Sequence, residues 1–161
     1  MRLTFTIALA AAALTAGAGC IDTAAAVFVE PAITGPSATV TGGTLGTQLS
    51  GGFRLELHLG PRASGASQVS IVSFDVTDAA QTAAIGEHLD AVTATALPVT
   101  VETDSDVTVD FTFDTGADLL PVEDRNPLCA AEGIRITGSI QDSLQDGATP
   151  VASAVFQATC M

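Results

Sequence analysis

The chain has 161 residues, and its 18 acidic residues against five basic ones give a formal net charge of −13 at pH 7. All five basic residues are arginines, and so acidic a chain is repelled by nucleic acid and by anionic membrane surfaces. The chain also lacks Trp and Tyr, which usually build sugar-stacking platforms. Composition therefore argues against a nucleic-acid-binding protein and a carbohydrate-binding module, and solubility best explains the acidity.

The N-terminus has the features of an export signal. Arg2 precedes an apolar run over residues 3 to about 16, and the small residues Gly17-Ala18-Gly19 stand directly before Cys20. This arrangement resembles the signal peptide and lipobox of bacterial lipoproteins, a family in which the cysteine is lipidated and becomes the first mature residue. An ordinary secretory signal, cleaved after Ala16-Gly17-Ala18, is the alternative.

The resemblance implies a lipoprotein signal peptide at 1–19, a lipidated N-terminus, tether and candidate first strand at 20–35, and a single β-sandwich domain at 36–161. It also implies export to the cell envelope, membrane attachment through a lipid on Cys20, and an envelope protein as a candidate partner. Ile21 stands where inner-membrane lipoproteins of enterobacteria commonly have Asp, so the outer membrane is favoured. A permanent transmembrane helix is disfavoured, because the apolar run is shorter than the ~20 residues that a bilayer requires.

Alternation of apolar and polar residues dominates the remainder of the chain. It is clearest at Phe53-Arg54-Leu55-Glu56-Leu57-His58-Leu59, which places the large apolar side chains on one face of a strand. The other predicted strands lie at 27–29, 39–49, 72–76, 97–101 and 107–113, with a hairpin at the C-terminus. About seven to nine short strands predict an all-β fold, an antiparallel two-sheet sandwich that is Ig-like or a related Greek key.

Three connections carry signals of their own. Thr103-Asp104-Ser105-Asp106 is typical of a turn and predicts a hairpin between its two flanking strands. Residues 79–96 have apolar side chains at a helical spacing, but Gly86 and several threonines make a poor helix, so we expect a short helical turn or a loop. Residues 114–132 contain prolines and a glycine and predict a long crossover between the sheets.

The cysteine count supports lipidation independently. If Cys20 carries lipid, Cys129 and Cys160 remain as an even pair in an oxidising compartment, where a disulfide is expected. A hairpin that turns at 145–147 would bring its open ends together near these two cysteines. Two free buried thiols are the alternative.

One motif points to a different function. Phe113-Asp114-Thr115-Gly116-Ala117 resembles the signature of retroviral-type aspartic proteases, which need two such aspartates sharing a proton. The chain has one copy, so the alternative function is an envelope protease acting as a homodimer, with Asp114 as its acid. The motif lies too late in the chain for the rest of that fold, and a β-turn at the end of a strand has the same composition.

Acidic residues in the predicted loops provide another alternative. The segments 104–106 and 114–118, together with Glu123 and Asp124, would hold calcium through carboxylate oxygens if they met at one end of the sandwich. The protein would then be a calcium-stabilised, adhesin-like binding module. Solvated acids in turns are the simpler interpretation.

Catalytic and cofactor motifs are otherwise lacking in the sequence. There is no nucleophile elbow, phosphate loop or zinc-binding helix, and neither His58 nor His88 is spaced from a cysteine as zinc ligands are. We therefore predict a membrane-anchored envelope lipoprotein with a structural or interaction role, and neither an enzyme nor a cofactor or metal binder.

Overall fold

The computed structural model describes residues 26–86, 88–116 and 118–161. The predicted signal peptide at 1–19, Cys20 and Ile21 therefore lie outside the described residues. The described elements are β1 (Glu30–Gly42), β2 (Thr47–Leu59), β3 (Ser67–Asp78), β4 (Ala84–Gly86), β5 (Val99–Val101), β6 (Ser105–Asp114), a 3₁₀ turn (Val122–Asp124), α1 (Arg125–Leu128), β7 (Ile134–Asp142), β8 (Ala148–Ala152) and β9 (Thr159–Cys160).

The strands form two sheets. The first sheet has the order β6-β2-β1-β9, and the second has the order β4-β3-β7-β8 with β5 also paired to β3. All pairs are antiparallel except β1 with β9. The predicted all-β sandwich is confirmed, and its strand order β6-β2-β1 against β4-β3-β7-β8 is that of an Ig-like fold.

Alternation along the strands produces the core between the sheets. On β2, Phe53, Leu55, Leu57 and Leu59 are buried, and the residues between them lie on the outer face. Phe53 stacks on Phe111 of the same sheet with ring centroids 5.2 Å apart, and meets Phe74 of the second sheet edge-on at 4.7 Å. Such pairs add about 0.5–1.5 kcal/mol each beyond the burial of apolar area.

The predicted strand at 72–76 is present within β3, but its alternation is interrupted. The pairing with β7 shifts between Ile71 and Ser73, and Val72 is consequently exposed while Phe74 and Val76 are buried. The sequence pattern placed all three apolar side chains on one face, which is wrong for Val72. A bulge adds one residue to one strand and so reverses the facing of the residues on one side of it.

The predicted hairpin around 103–106 is also wrong. β5 pairs with β3 in the second sheet, whereas β6 pairs with β2 in the first, so residues 102–104 cross between the sheets. The turn itself is present, and Asp104 has a positive φ of 56°. Turn residues determine local backbone geometry, but the partner of each strand depends on which sheet buries its apolar face.

Two further segments differ from their predictions. Residues 27–29 are not part of a strand, because β1 begins at Glu30. The stretch 39–49 contains the end of β1, a turn closed by the Gly43 amide on the Gly46 carbonyl, and the start of β2. The glycines mark the turn that the alternation of threonines and apolar residues concealed.

The described residues of the segment 79–96 contain no helical turn and form a loop with one short strand, so the loop alternative is the one observed. β4 pairs with residues 76 and 77 of β3, and Val92 forms a bridge with Thr112 of β6. The expected crossover at 114–132 is confirmed, since it connects β6 in the first sheet to β7 in the second. The predicted C-terminal hairpin is confirmed: β7 and β8 are antiparallel, and they pair from Gln141 opposite Ala148 to Thr137 opposite Ala152.

The sandwich has two ends with different polar contacts. At one end β1 begins, and β2 and β7 end there as well; we call it the tether end because the residues N-terminal to β1 lead to it. The opposite end, which we call the far end, contains the Gly43–Gly46 turn and the end of β6. The two ends differ in the polar contacts they contain.

Candidate functional site

A buried carboxylate organises the tether end. Asp142 is fully buried, and its Oδ2 accepts a 2.8 Å hydrogen bond from the amide of Val29. Its Oδ1 accepts hydrogen bonds from the Ser67 hydroxyl and from the Leu144 amide, the latter at 2.9 Å. Asp142, at the end of β7, therefore connects the segment before β1 to the start of β3 and to the turn after β7. In the sequence, Asp142 resembles any other acid near the end of a strand, and its position shortly after the alternating segment 134–140 is the signal that points to it.

The predicted disulfide joins Cys129 and Cys160, with Cα atoms 6.1 Å apart. Cys129 follows α1, and Cys160 lies in β9, where it is opposite Val40 of β1. The hairpin does not itself bring the cysteines together, because the chain after β8 crosses to the first sheet. The disulfide thus attaches the last strand and the crossover to each other at the far end.

The Asp-Thr-Gly motif forms the turn after β6. Oδ1 of Asp114 accepts hydrogen bonds from the Gln48 side chain at 3.0 Å and the Gly116 amide at 2.8 Å. These hydrogen bonds, that of Gln48 first, lower the pKa of Asp114 below its ordinary value of 3.8. The Thr115 hydroxyl accepts a 3.0 Å hydrogen bond from the Leu49 amide. The Asp114 carboxylate, the Thr115 hydroxyl and the Gly116 amide therefore stabilise this turn, and the first two attach it to β2.

A cleft of about 210 Å³ opens beside this motif, and His88, Asp90, Asp114 and Asp118 line part of it. The amide of His88 donates a 2.7 Å hydrogen bond to Asp75. In the part of the chain that the structure describes, no three His, Cys, Asp or Glu side chains come together to hold a metal ion.

Two of the acidic segments named for calcium binding, 104–106 and 114–118, do not meet in the structure. Residues 104–106 lie at the start of β6 and Asp114 lies at its end. A ten-residue strand separates the two groups, which corresponds to about 30 Å at the rise of an extended chain. The acidic segments therefore lie at opposite ends of the sandwich and do not form the expected common site.

Charged side chains do meet on the outer face of the first sheet. His58 Nδ1 lies 2.7 Å from Asp106 Oδ1, and Arg54 Nε lies 3.2 Å from Asp110 Oδ1. Both pairs connect β2 to β6, in which Asp106, Thr108 and Asp110 share the outer face. A cavity of about 510 Å³ opens on this face next to Asp106. In the sequence, this surface is indicated by residues 106–110, in which Asp and Thr side chains alternate with valines.

Comparisons with known proteins add no assignment to this geometry. No family model matches the chain, and no curated protein is similar enough to count as a relative. Among the described residues, no helix is long and apolar enough to cross a membrane.

Proposed function

We propose that the protein is a membrane-anchored lipoprotein of the cell envelope, attached through a lipid on Cys20 and acting as a structural or interaction module. The observation that carries this proposal is the disulfide between Cys129 and Cys160. It accounts for two of the three cysteines and leaves Cys20, which directly follows the small residues of the lipobox-like segment. Disulfides persist in exported proteins, which agrees with an envelope location.

Contacts at the tether end support the same proposal. The chain between Cys20 and Val29 is short, and the hydrogen bond from Val29 to the buried Asp142 fixes the point at which it joins the sandwich. A domain attached in this way stays close to its membrane, with the far end directed away from the attachment point. We further propose the outer membrane as the location, because Ile21 replaces the Asp typical of inner-membrane retention.

The proposal assigns no catalytic role to Asp114. Its hydrogen bonds to Gln48 and Gly116 are those expected of an acid that stabilises a turn.

Intact-mass measurement of the protein extracted from its native membrane tests the anchor. We expect the mass of residues 20–161 plus acyl groups, and two alkylatable thiols that appear only after reduction. The Cys20→Ala variant is the matched control and should lose both the acyl mass and membrane association. An unlipidated mass, or a Cys20 that alkylates without reduction, would instead indicate a freely secreted domain. Fractionation of the two membranes on a density gradient then tests the outer-membrane assignment.

A further inference from the structure

One edge of the first sheet is open for hydrogen bonding. Thr112 of β6 exchanges hydrogen bonds of 2.8 and 2.9 Å with Val92 on the side away from β2. Since alternate residues of a strand direct their backbone groups to the same side, Asp106, Thr108 and Asp110 present their N–H and C=O groups to that side as well. Within residues 26–86, 88–116 and 118–161, no backbone group pairs with them.

The other edges of the sandwich are short or blocked. β9 pairs with β1, and Ser153 and Met161 also bond along that edge. β8 contains Pro150, which has no amide hydrogen to donate to a further strand. β4 and β5 have three residues each. In the described part of the chain, β6 therefore has an open edge from Asp106 to Asp110, which is the feature that a further strand requires.

The charges beside this edge select against a second copy and in favour of a basic partner. Asp106 and Asp110 expose 81% and 79% of their side chains, and each uses Oδ1 in its pair with β2. Two β6 edges paired with each other would bring aspartates together, and like charges on neighbouring strands are destabilising. Glu30 and Glu56 line the adjacent cavity of about 510 Å³ and add further negative charge on the same face.

We propose that the edge of β6 between Asp106 and Asp110 binds an extended, basic segment of an envelope protein as an additional strand of the first sheet. Three outward N–H and three outward C=O groups on Asp106, Thr108 and Asp110 provide the main-chain contacts. Lysine or arginine at alternate positions of the partner lies on the outer face beside the aspartates. This inference rests on the interaction role proposed above and names its surface and the chemistry of the partner.

A labelled peptide tests the binding directly. The probe is a peptide of about eight residues alternating arginine with threonine, long enough to match the edge, titrated by fluorescence anisotropy against the full-length protein in detergent. We expect saturable binding that weakens as salt is added. A peptide alternating glutamate with threonine, and an arginine peptide N-methylated on the residues that face β6, should not bind.

Variants of β6 separate main-chain pairing from simple attraction of charges. Thr108→Pro removes an outward amide hydrogen without removing a hydrogen bond to β2, and should raise the Kd about tenfold or more. Thr108→Val is the matched control: it keeps that hydrogen and changes only the side chain, so its Kd should rise far less than the Kd of Thr108→Pro. Asp106→Asn with Asp110→Asn should raise the Kd roughly threefold to tenfold and reduce the salt dependence.

Several results would overturn the inference: no saturable binding up to about 1 mM peptide, equal binding of the N-methylated peptide, or a wild-type dimer in sedimentation that Thr108→Pro dissociates. The N-methylated peptide decides the question even if Thr108→Pro misfolds. Intact mass tests the lipid anchor separately. A lipidated protein that does not bind the peptide would keep the proposed function and would exclude only the binding edge on β6.

Discussion

The amide of Val29 and the carboxylate of Asp142 form a 2.8 Å hydrogen bond between residues 113 positions apart in the chain. Asp142 is fully buried at the end of β7, and Val29 lies immediately before β1. This bond joins the N-terminal segment to the second sheet, although β1 itself belongs to the first sheet. At the tether end, this acidic side chain therefore links the incoming chain to the second sheet by a hydrogen bond.

Asp142→Ala should lower the free energy of unfolding by about 2–4 kcal/mol, because the amides of Val29 and Leu144 and the Ser67 hydroxyl lose a charged acceptor. Urea unfolding followed by circular dichroism measures the loss. Asp146→Ala, a change of an exposed acid in the nearby turn, is the control and should stay within about 0.5 kcal/mol of the wild type. Equal effects of the two variants would show that the buried bonds do not stabilise the fold.

Removal of the disulfide by Cys129→Ser with Cys160→Ser should lower the free energy of unfolding by about 3–4 kcal/mol. The estimate follows from the entropy of closing a loop with a sequence separation of 31 residues. Unfolding in urea with and without reductant measures it, and reductant should affect only the wild type. Cys20→Ala should leave the unfolding of the domain unchanged; a large effect of that variant would place Cys20 in the disulfide chemistry.

Gly138→Ala should destabilise the sandwich by about 1–3 kcal/mol through overpacking. A Cβ at Gly138 would lie 2.5 Å from the Ser73 carbonyl oxygen and would overlap the ring of Phe74. Thermal unfolding of the variant measures the effect. Gly65→Ala is the matched control, since its Cβ would meet nothing within 4 Å. A Gly138→Ala protein as stable as the control would mean that the bulge in β3 relaxes to admit a methyl group.

Asp114 should make stability depend on pH on the acid side. Its pKa is lowered in the folded protein by the hydrogen bonds from Gln48 and Gly116, so its contribution is present above the unfolded pKa and is lost as pH falls through the folded one. The wild type should therefore exceed Asp114→Asn in stability at neutral pH, and the gap should shrink as the pH falls below about 4.

Urea unfolding across that pH range measures the gap, and an NMR titration of the Asp114 carboxyl gives its pKa directly. Gln48→Ala provides the control, because it removes the first cause of the shift and should raise the pKa of Asp114 towards 3.8. An Asp114 that titrates at 3.8 in the wild type would contradict the assigned hydrogen bonds.

Local pattern was sufficient for much of the fold. The buried residues of β2, the crossover after β6 and the C-terminal hairpin follow from alternation and turn composition in segments of ten or so residues. The candidate sites were less accessible from sequence. Asp114 was recognised as a turn residue, but Asp142 resembled any other acid at the end of a strand, because nothing near it in sequence reveals a contact with Val29.

Local alternation predicted the all-β class and the phase of the long regular strands, and the cysteine count predicted the pairing of Cys129 with Cys160 if Cys20 carries lipid. The place of β5 in the second sheet, the exposure of Val72 and the open edge of β6 emerge only in the folded chain. Strand partners, bulges and edges depend on packing between segments far apart in the chain, and a shift of register by one residue exchanges the two faces of a strand.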